Sequence, residues 1–148
     1  MRDRKIKSKK VILASDHAGF KLKEEIKKFL IKKKGKVLDL GTKNTNSVDY
    51  PDYAHLLSKK MKKNENQFGI LICGSGIGMS MAANKHRNIR AAMCYNTKST
   101  KLSRLHNNAN VMTLGSRLIK KNVALKCVST FLKTDFDGGR HSRRVKKI

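Results

Sequence analysis

The sequence predicts one three-layer α/β/α domain, with helices on both faces of a five-stranded parallel sheet. Three observations predict it. Five short apolar runs recur along the 148 residues, and segments of helical apolar spacing lie between them. The run Phe68-Gly69-Ile70-Leu71-Ile72 is bare of charge and rich in isoleucine, as a strand covered on both faces is. Strand and helix alternate with no internal repeat and no linker, so each strand is joined to the next by a crossover, which makes the sheet parallel. A chain of this length buries about two thirds of its extended surface as one domain.

The elements follow in order. Residues 1–10 form a basic extension expected to be frayed, and residues 11–148 the domain. Val11-Ile12-Leu13-Ala14 is the first strand, and Ser15 to Gly19 is the turn after it. Leu22, Ile26, Phe29 and Leu30 repeat at helical spacing in a helix over 20–34, closed by Gly35. Val37-Leu38-Asp39-Leu40 is the second strand, and a polar loop covers 41–48. Pro51, the one proline, fits the first turn of a helix over 52–63. The third strand, 68–73, leads into Gly74-Ser75-Gly76-Ile77-Gly78 and a helix over 79–85. A fourth strand covers 90–94, a helix 98–106, and a fifth strand 110–114, ended by Gly115. The last long helix spans 119–132 with Val123, Cys127, Val128 and Phe131 inward, and a polar tail covers 135–148.

Composition narrows the function. The net charge of +25 invites a nucleic-acid reading. The excess, however, is mostly lysine spread along the whole chain, with clusters such as Lys32-Lys33-Lys34 at helix ends, where they complement the helix dipole. There is no tryptophan and no alternation of aromatic and basic residues to stack bases. Nucleic acid is therefore not the expected partner, whereas a positive surface steers a small anion toward a pocket. No apolar stretch is long enough for a membrane span, and no apolar signal segment follows the basic N-terminus. Cys73, Cys94 and Cys127 are far apart and odd in number, so neither a zinc site nor a disulfide framework is indicated. A reducing cytoplasmic setting is expected.

Chemistry concentrates after the third strand. Cys73-Gly74-Ser75-Gly76-Ile77-Gly78 combines a cysteine with glycines that let backbone N–H groups approach an anion. The following helix adds positive potential there, a setting that favours a thiolate. The spacing is not the dinucleotide fingerprint G-x-G-x-x-G, because Met79 stands where its third glycine would fall. In open parallel sheets ligands bind beyond the carboxyl ends of the strands. Asp16-His17 follows strand one, the cysteine loop strand three, and Arg117 strand five. His17, Arg117, Arg140 and Arg144 are candidates to hold a phosphate, since guanidinium groups offer bidentate donors. Cys73, Asp16, Ser75 and His106 are candidates to move protons, and all are expected at the same edge. Each has a plainer alternative: Asp16 as a helix cap, His106 as a solvated helix end, Asn107 as a left-handed cap, the tail arginines as surface charge. His55, His86 and His141 are left without a role.

Taken together, these segments resemble a known family. From Val11 to Val145 the chain is similar to the type B ribose-5-phosphate isomerases, within the wider group that includes galactose-6-phosphate isomerase. The resemblance rests on Ser15-Asp16-His17-Ala18-Gly19-Phe20, Asp49-Tyr50-Pro51, Ile72 to Gly78, Leu102-Ser103-Arg104-Leu105-His106-Asn107, Asn110-Val111, Leu114-Gly115-Ser116-Arg117 and Gly138-Gly139-Arg140-His141. It implies a Rossmann-like fold and metal-free, cofactor-free interconversion of ribose 5-phosphate and ribulose 5-phosphate. By the same resemblance, Cys73 is the base, and His106 with Asp16 opens the sugar ring. Gly74, Gly76, Ile77 and Gly78 supply N–H groups to the enediolate, and Ser75 passes a proton between its oxygens. His17, Arg117, Arg140 and Arg144 hold the phosphate, and Asn107 holds a hydroxyl. The family also implies a homodimer or homotetramer with shared sites. Two alternatives remain at this level: an isomerase of a six-carbon sugar phosphate (allose or galactose 6-phosphate), and a basic nucleic-acid-binding module.

Overall fold

The computed structural model describes residues 4–63 and 66–148. In chain order the elements are α1 (Arg4–Lys7), β1 (Lys10–Ser15), α2 (Phe20–Lys32), β2 (Lys36–Asp39), α3 (Tyr50–Lys60) and β3 (Gln67–Cys73). They continue with α4 (Ile77–Ala83), β4 (Ala91–Met93), α5 (Thr97–Leu105), β5 (Val111–Gly115), α6 (Lys121–Lys133) and α7 (Arg140–Val145). The five strands form one sheet in the order β2-β1-β3-β5-β4, and every pairing is parallel.

Alternation along the strands builds two apolar cores. Val11, Leu13, Ile70, Ile72, Met112 and Leu114 face α2 and α6, meeting Ile26, Leu30, Val128 and Phe131. Ile12, Ala14, Leu71, Cys73 and Val111 face α3 and α4, meeting Ala54, Leu57, Met79 and Ala83. The central strand β3 is buried along its whole length, which explains why its sequence reads as a continuous apolar run.

Two segments differ from the sequence expectation. The basic N-terminal segment is not frayed over its described residues. Arg4–Lys7 is a helical turn that buries Ile6 in the core against α6, and Lys10 already belongs to β1. Lys5 Nζ sits 2.5 Å from Asp135 Oδ2 and 3.4 Å from the Lys133 carbonyl, tying this turn to the chain beyond α6. A single apolar residue among lysines gives no periodicity, so sequence pattern cannot find it. The polar tail likewise contains α7, whose segment Arg-His-Ser-Arg-Arg-Val has no apolar stripe.

One polar cluster is built into the scaffold. The Lys23 side chain is only 1% exposed, and its ammonium donates to Glu24 Oε1 and to Asp39 Oδ2, both at 2.7 Å. Lys27 donates to the same Asp39 oxygen at 2.9 Å, and the Gly41 N–H to Oδ1 at 2.9 Å. Burial raises the Asp39 carboxyl, but these donors outweigh it and hold the group below the ordinary carboxylate range. Asp39 is thus a structural residue, as its position inside β2 suggests.

The strand order decides where a ligand goes. The chain leaves β1 toward β2 on one side and places β3 on the other, so the crevice at the carboxyl ends of β1 and β3 is a topological switch point.

Candidate active site

Cys73 is the last residue of β3 and stands at that switch point, 4% exposed. The loop after it folds back on the sulfur: the Gly76 N–H donates to Cys73 Sγ at 3.1 Å. Gly76 takes a left-handed φ of 78° to do so, and a Cβ there would lie 2.9 Å from the Leu114 carbonyl carbon. The Ile77 N–H donates to Ser75 Oγ at 3.2 Å. Among the described residues, the N–H groups of Gly74, Ser75 and Gly78 donate to no protein acceptor, so these three are the uncommitted donors of the loop, while those of Gly76 and Ile77 are taken by the Cys73 sulfur and the Ser75 hydroxyl.

Neighbouring strand ends close around this loop. Asp16 follows β1 and is 6% exposed; its N–H donates to the Ile72 carbonyl at 3.2 Å. Its Oδ1 accepts the Gly19 N–H at 3.0 Å, so the carboxylate organises the turn before α2 and is not itself the helix cap, which is Gly19. His17 Nδ1 lies 3.2 Å from both the N and the O of Val48, pinning the imidazole to the loop before α3. Arg117 follows β5, and its N–H donates to the Gly74 carbonyl at 3.0 Å. Its guanidinium packs over Gly74, where Nη1 is 2.9 Å from the place a Cβ would occupy. Ser116 Oγ donates to the Ala18 carbonyl at 2.8 Å, linking the β5 and β1 turns. Tyr50, at the start of α3, lays its ring against Gly78. The sequence analysis gave Tyr50 no role; its presence in Asp49-Tyr50-Pro51 was the available signal.

Cys94 and Cys127 are a different kind of cysteine. Burial pushes the Cys94 thiol up to about 11 and raises the Cys127 thiol too, so both stay protonated and inert near neutral pH.

The remaining predicted residues are not in this group. Helix α5 runs back from the carboxyl end of β4, so its terminal residue His106 lies beside the start of β5. Helix α6 returns the same way, and the Asp137 N–H donates to the Leu105 carbonyl at 3.1 Å. His106, Asn107, Arg140 and Arg144 therefore sit at the amino edge of the sheet, and Cys73 at the carboxyl edge. The five residues of β5 alone separate the two edges by about 16 Å. The expectation that all these groups share one edge of a single chain is corrected by this direction of the helices.

The second group is ordered in its own right. His106 stacks on His141, with ring centroids 4.3 Å apart and planes 13° from parallel. Burial, His106, Arg140 and Arg144 push the His141 imidazole below its ordinary value, and Asp137 opposes them. Arg104 is buried beneath the end of α5, donating to the Thr134 and Ala109 carbonyls and to Asn108 Oδ1 while lying 5.0 Å over the Phe68 ring. The left-handed residue here is Asn108 (φ 46°), so Asn107 is not the cap and its side chain is exposed. A concavity of about 1530 Å³ opens at this edge, lined by Asn107, Asn108, Arg104 and Lys9 but not by Cys73. His55 and His86, also left without a role, hydrogen-bond to each other through Nδ1 and Nε2 at 2.7 Å, and His86 lines the same concavity.

An open parallel α/β sheet with a cysteine-bearing glycine loop at its switch point, ringed by a carboxylate, a histidine and an arginine, defines a protein that handles a small anionic ligand by proton transfer. The chain belongs to the ribose/galactose isomerase family, whose profile matches residues 11–148. It is 47% identical over 139 residues to a probable ribose-5-phosphate isomerase B of Mycoplasma pneumoniae, covering 93% of this chain and 91% of that one. It is 42% identical to the ribose-5-phosphate isomerase B of Escherichia coli, covering 95% and 94%. Among solved structures, a ribose 5-phosphate isomerase of Thermotoga maritima is 52% identical, with a TM-score of 0.90 over 93% of this chain and 95% of that one. The Mycoplasma genitalium ribose-5-phosphate isomerase B, solved with bound ribulose-5-phosphate, is 45% identical with a TM-score of 0.90, covering 95% and 93%. No helix among the described residues is long and apolar enough to cross a membrane.

Proposed function

We propose that this protein interconverts ribose 5-phosphate and ribulose 5-phosphate through an enediolate, and that two copies of the chain complete each active site. The observation that carries the first half is Cys73: a sulfur at the switch point, met by the Gly76 N–H, with Asp16-His17 on the adjoining β1 turn and the Arg117 guanidinium over Gly74. In the open-chain aldose, the proton on C2 is acidified by the neighbouring C1 carbonyl. Cys73 as thiolate removes it, negative charge moves onto the carbonyl oxygen, and the proton returns to C1 to give the ketose. The uncommitted N–H groups of Gly74, Ser75 and Gly78 are the donors available for the developing oxyanion, and the Ser75 hydroxyl carries a proton from O2 to O1. His17 and Arg117 take the phosphate, whose anchoring fixes the distance of the reacting carbon from the sulfur.

The second half follows from the separation of the two groups. A ring-opening histidine about 16 Å away along a strand cannot serve Cys73 of its own chain. In our reading, His106, Asn107, Arg140 and Arg144 of a second copy close over the loop, adding a general acid, a hydroxyl contact and two phosphate ligands. Exposed Ile77, Met81, Met93, Tyr95 and Leu102, on α4, β4, the β4–α5 turn and α5, give that second copy an apolar surface to meet. The reaction needs no metal or organic cofactor, and the setting is the cytoplasm, in keeping with three free thiols.

Ketose formation from ribose 5-phosphate in the presence of EDTA tests the activity. The parent is expected to turn over and Cys73→Ala to be silent. Turnover confined to six-carbon sugar phosphates would replace the substrate, and equal rates in both proteins would remove Cys73 as the base.

A further inference from the structure

At the amino edge, His106, Asp137 and His141 each bring a ligand atom, two imidazole nitrogens and one carboxylate oxygen, within 4.8 Å of one another. The backbone fixes all three. His106 ends α5, and the Asp137 N–H is bound to the carbonyl of the preceding residue, Leu105. Gly138 and Gly139 take left-handed φ values of 66° and 53°, which turn the chain back, and the His141 N–H donates to the Gly138 carbonyl at 3.0 Å as α7 begins. The two rings are stacked 4.3 Å apart and 13° from parallel, so one imidazole turns about its Cβ–Cγ bond for both in-plane lone pairs to meet one ion. Among the described residues, no side-chain hydrogen bond occupies the ligand atoms of these three groups.

We propose that His106, Asp137 and His141 form a site for one divalent transition-metal cation of the zinc class, and that the bound cation inhibits the isomerase by taking His106 out of service. The donor set selects the ion. Two imidazoles and a carboxylate suit zinc, nickel or copper, whereas magnesium and calcium seek oxygen ligands. Three protein ligands leave a further position for water. Arg140 and Arg144 lie in the electrostatic field of His141 and oppose a cation, so this site is weaker than a four-ligand structural zinc site and releases its ion to a chelator. The inhibition rests on the reading of His106 as the ring-opening residue; the ion site does not.

Calorimetric titration of zinc chloride into the chelator-stripped full-length protein tests the site, beside Asp137→Asn, His141→Ala and Cys73→Ala. One zinc per chain is expected for the parent and for Cys73→Ala, with affinity weaker by about tenfold or more in the other two. Equal affinity in all four proteins overturns the site. Loss confined to Cys73→Ala also overturns it, because the ion would then sit on the catalytic thiol. Asp137 has no part in the reaction and is exposed, so Asp137→Asn is expected to keep its turnover at zinc concentrations that stop the parent, with EDTA reversing the block. If zinc binds at the cluster while the parent turns over undiminished, the inhibition is overturned, together with the role of His106 in ring opening, and the ion site stands.

Discussion

With Cys73 as the proposed base and Arg140 as a proposed phosphate ligand, the two tasks are separable by kinetics. Removing a positioned base costs an enzyme on the order of a hundred- to ten-thousandfold in turnover, so Cys73→Ala should lose kcat by about a thousandfold or more. Because the side chain is small and the loop is held by its backbone, the circular dichroism of that variant should match the parent. Arg140→Ala removes one exposed charge from the proposed phosphate grip. Its effect should be chiefly a rise in KM, about tenfold, with a smaller fall in kcat from poorer alignment. At this scale the sequence was informative where chemistry and spacing coincide: Cys73 ends a strand, Asp16, His17 and Arg117 follow strands, and all lie at one edge. It gave no role to Tyr50, Asp137 or His141, although Tyr50 and His141 lie in motifs that carry the resemblance, because their significance is a matter of which side chain they touch. No periodicity records that His141 stacks on His106 or that Tyr50 covers Gly78.

Among the elements, α1, the α2–β2 pair and α5 carry the consequences. The Lys23 ammonium is enclosed, and Asp39 is one of its two carboxylate partners. Asp39→Ala leaves a buried charge half-compensated and should cost about 3 kcal/mol in urea unfolding. The pH dependence has a definite sign. A carboxylate held below its unfolded value contributes stability that is fully present above that value and is lost as pH falls through the lowered one. The Asp39 contribution should therefore fade below about pH 4, and the acid slope of the urea midpoint should be shallower in Asp39→Asn. Helix α1 makes a second case: Ile6→Ala should destabilise by about 3 kcal/mol, a value near zero being the outcome for a frayed segment. The strands and long helices were legible because each buries a stripe or a run. The turn at Arg4–Lys7 and helix α7 were not, since each is short and polar and is held by contacts to distant residues such as Asp135 and Leu105.

For the whole molecule, the decisive feature is that strand direction and helix direction are opposite. Residues after strands gather at one edge and residues ending helices at the other. The order of elements in the sequence contains this direction: His106 ends a helix, and Arg140 and Arg144 follow one, whereas Cys73 ends a strand. Their separation by the length of β5 is the basis for the proposal that a site is completed from two chains. Related by a two-fold axis, two chains would form two such sites, each taking Cys73 from one copy and His106 from the other.

Complementation tests that claim directly. Cys73→Ala and His106→Ala proteins are each assayed alone for ketose formation from ribose 5-phosphate, then mixed, unfolded and refolded together in equal amounts. If sites are shared, each variant alone is inactive, and the mixture recovers about a quarter of parental activity: half of the random dimers are mixed, and each has one intact site of two. If the mixture stays as inactive as its components, Cys73 and His106 do not meet across two chains, and the shared-site account is wrong.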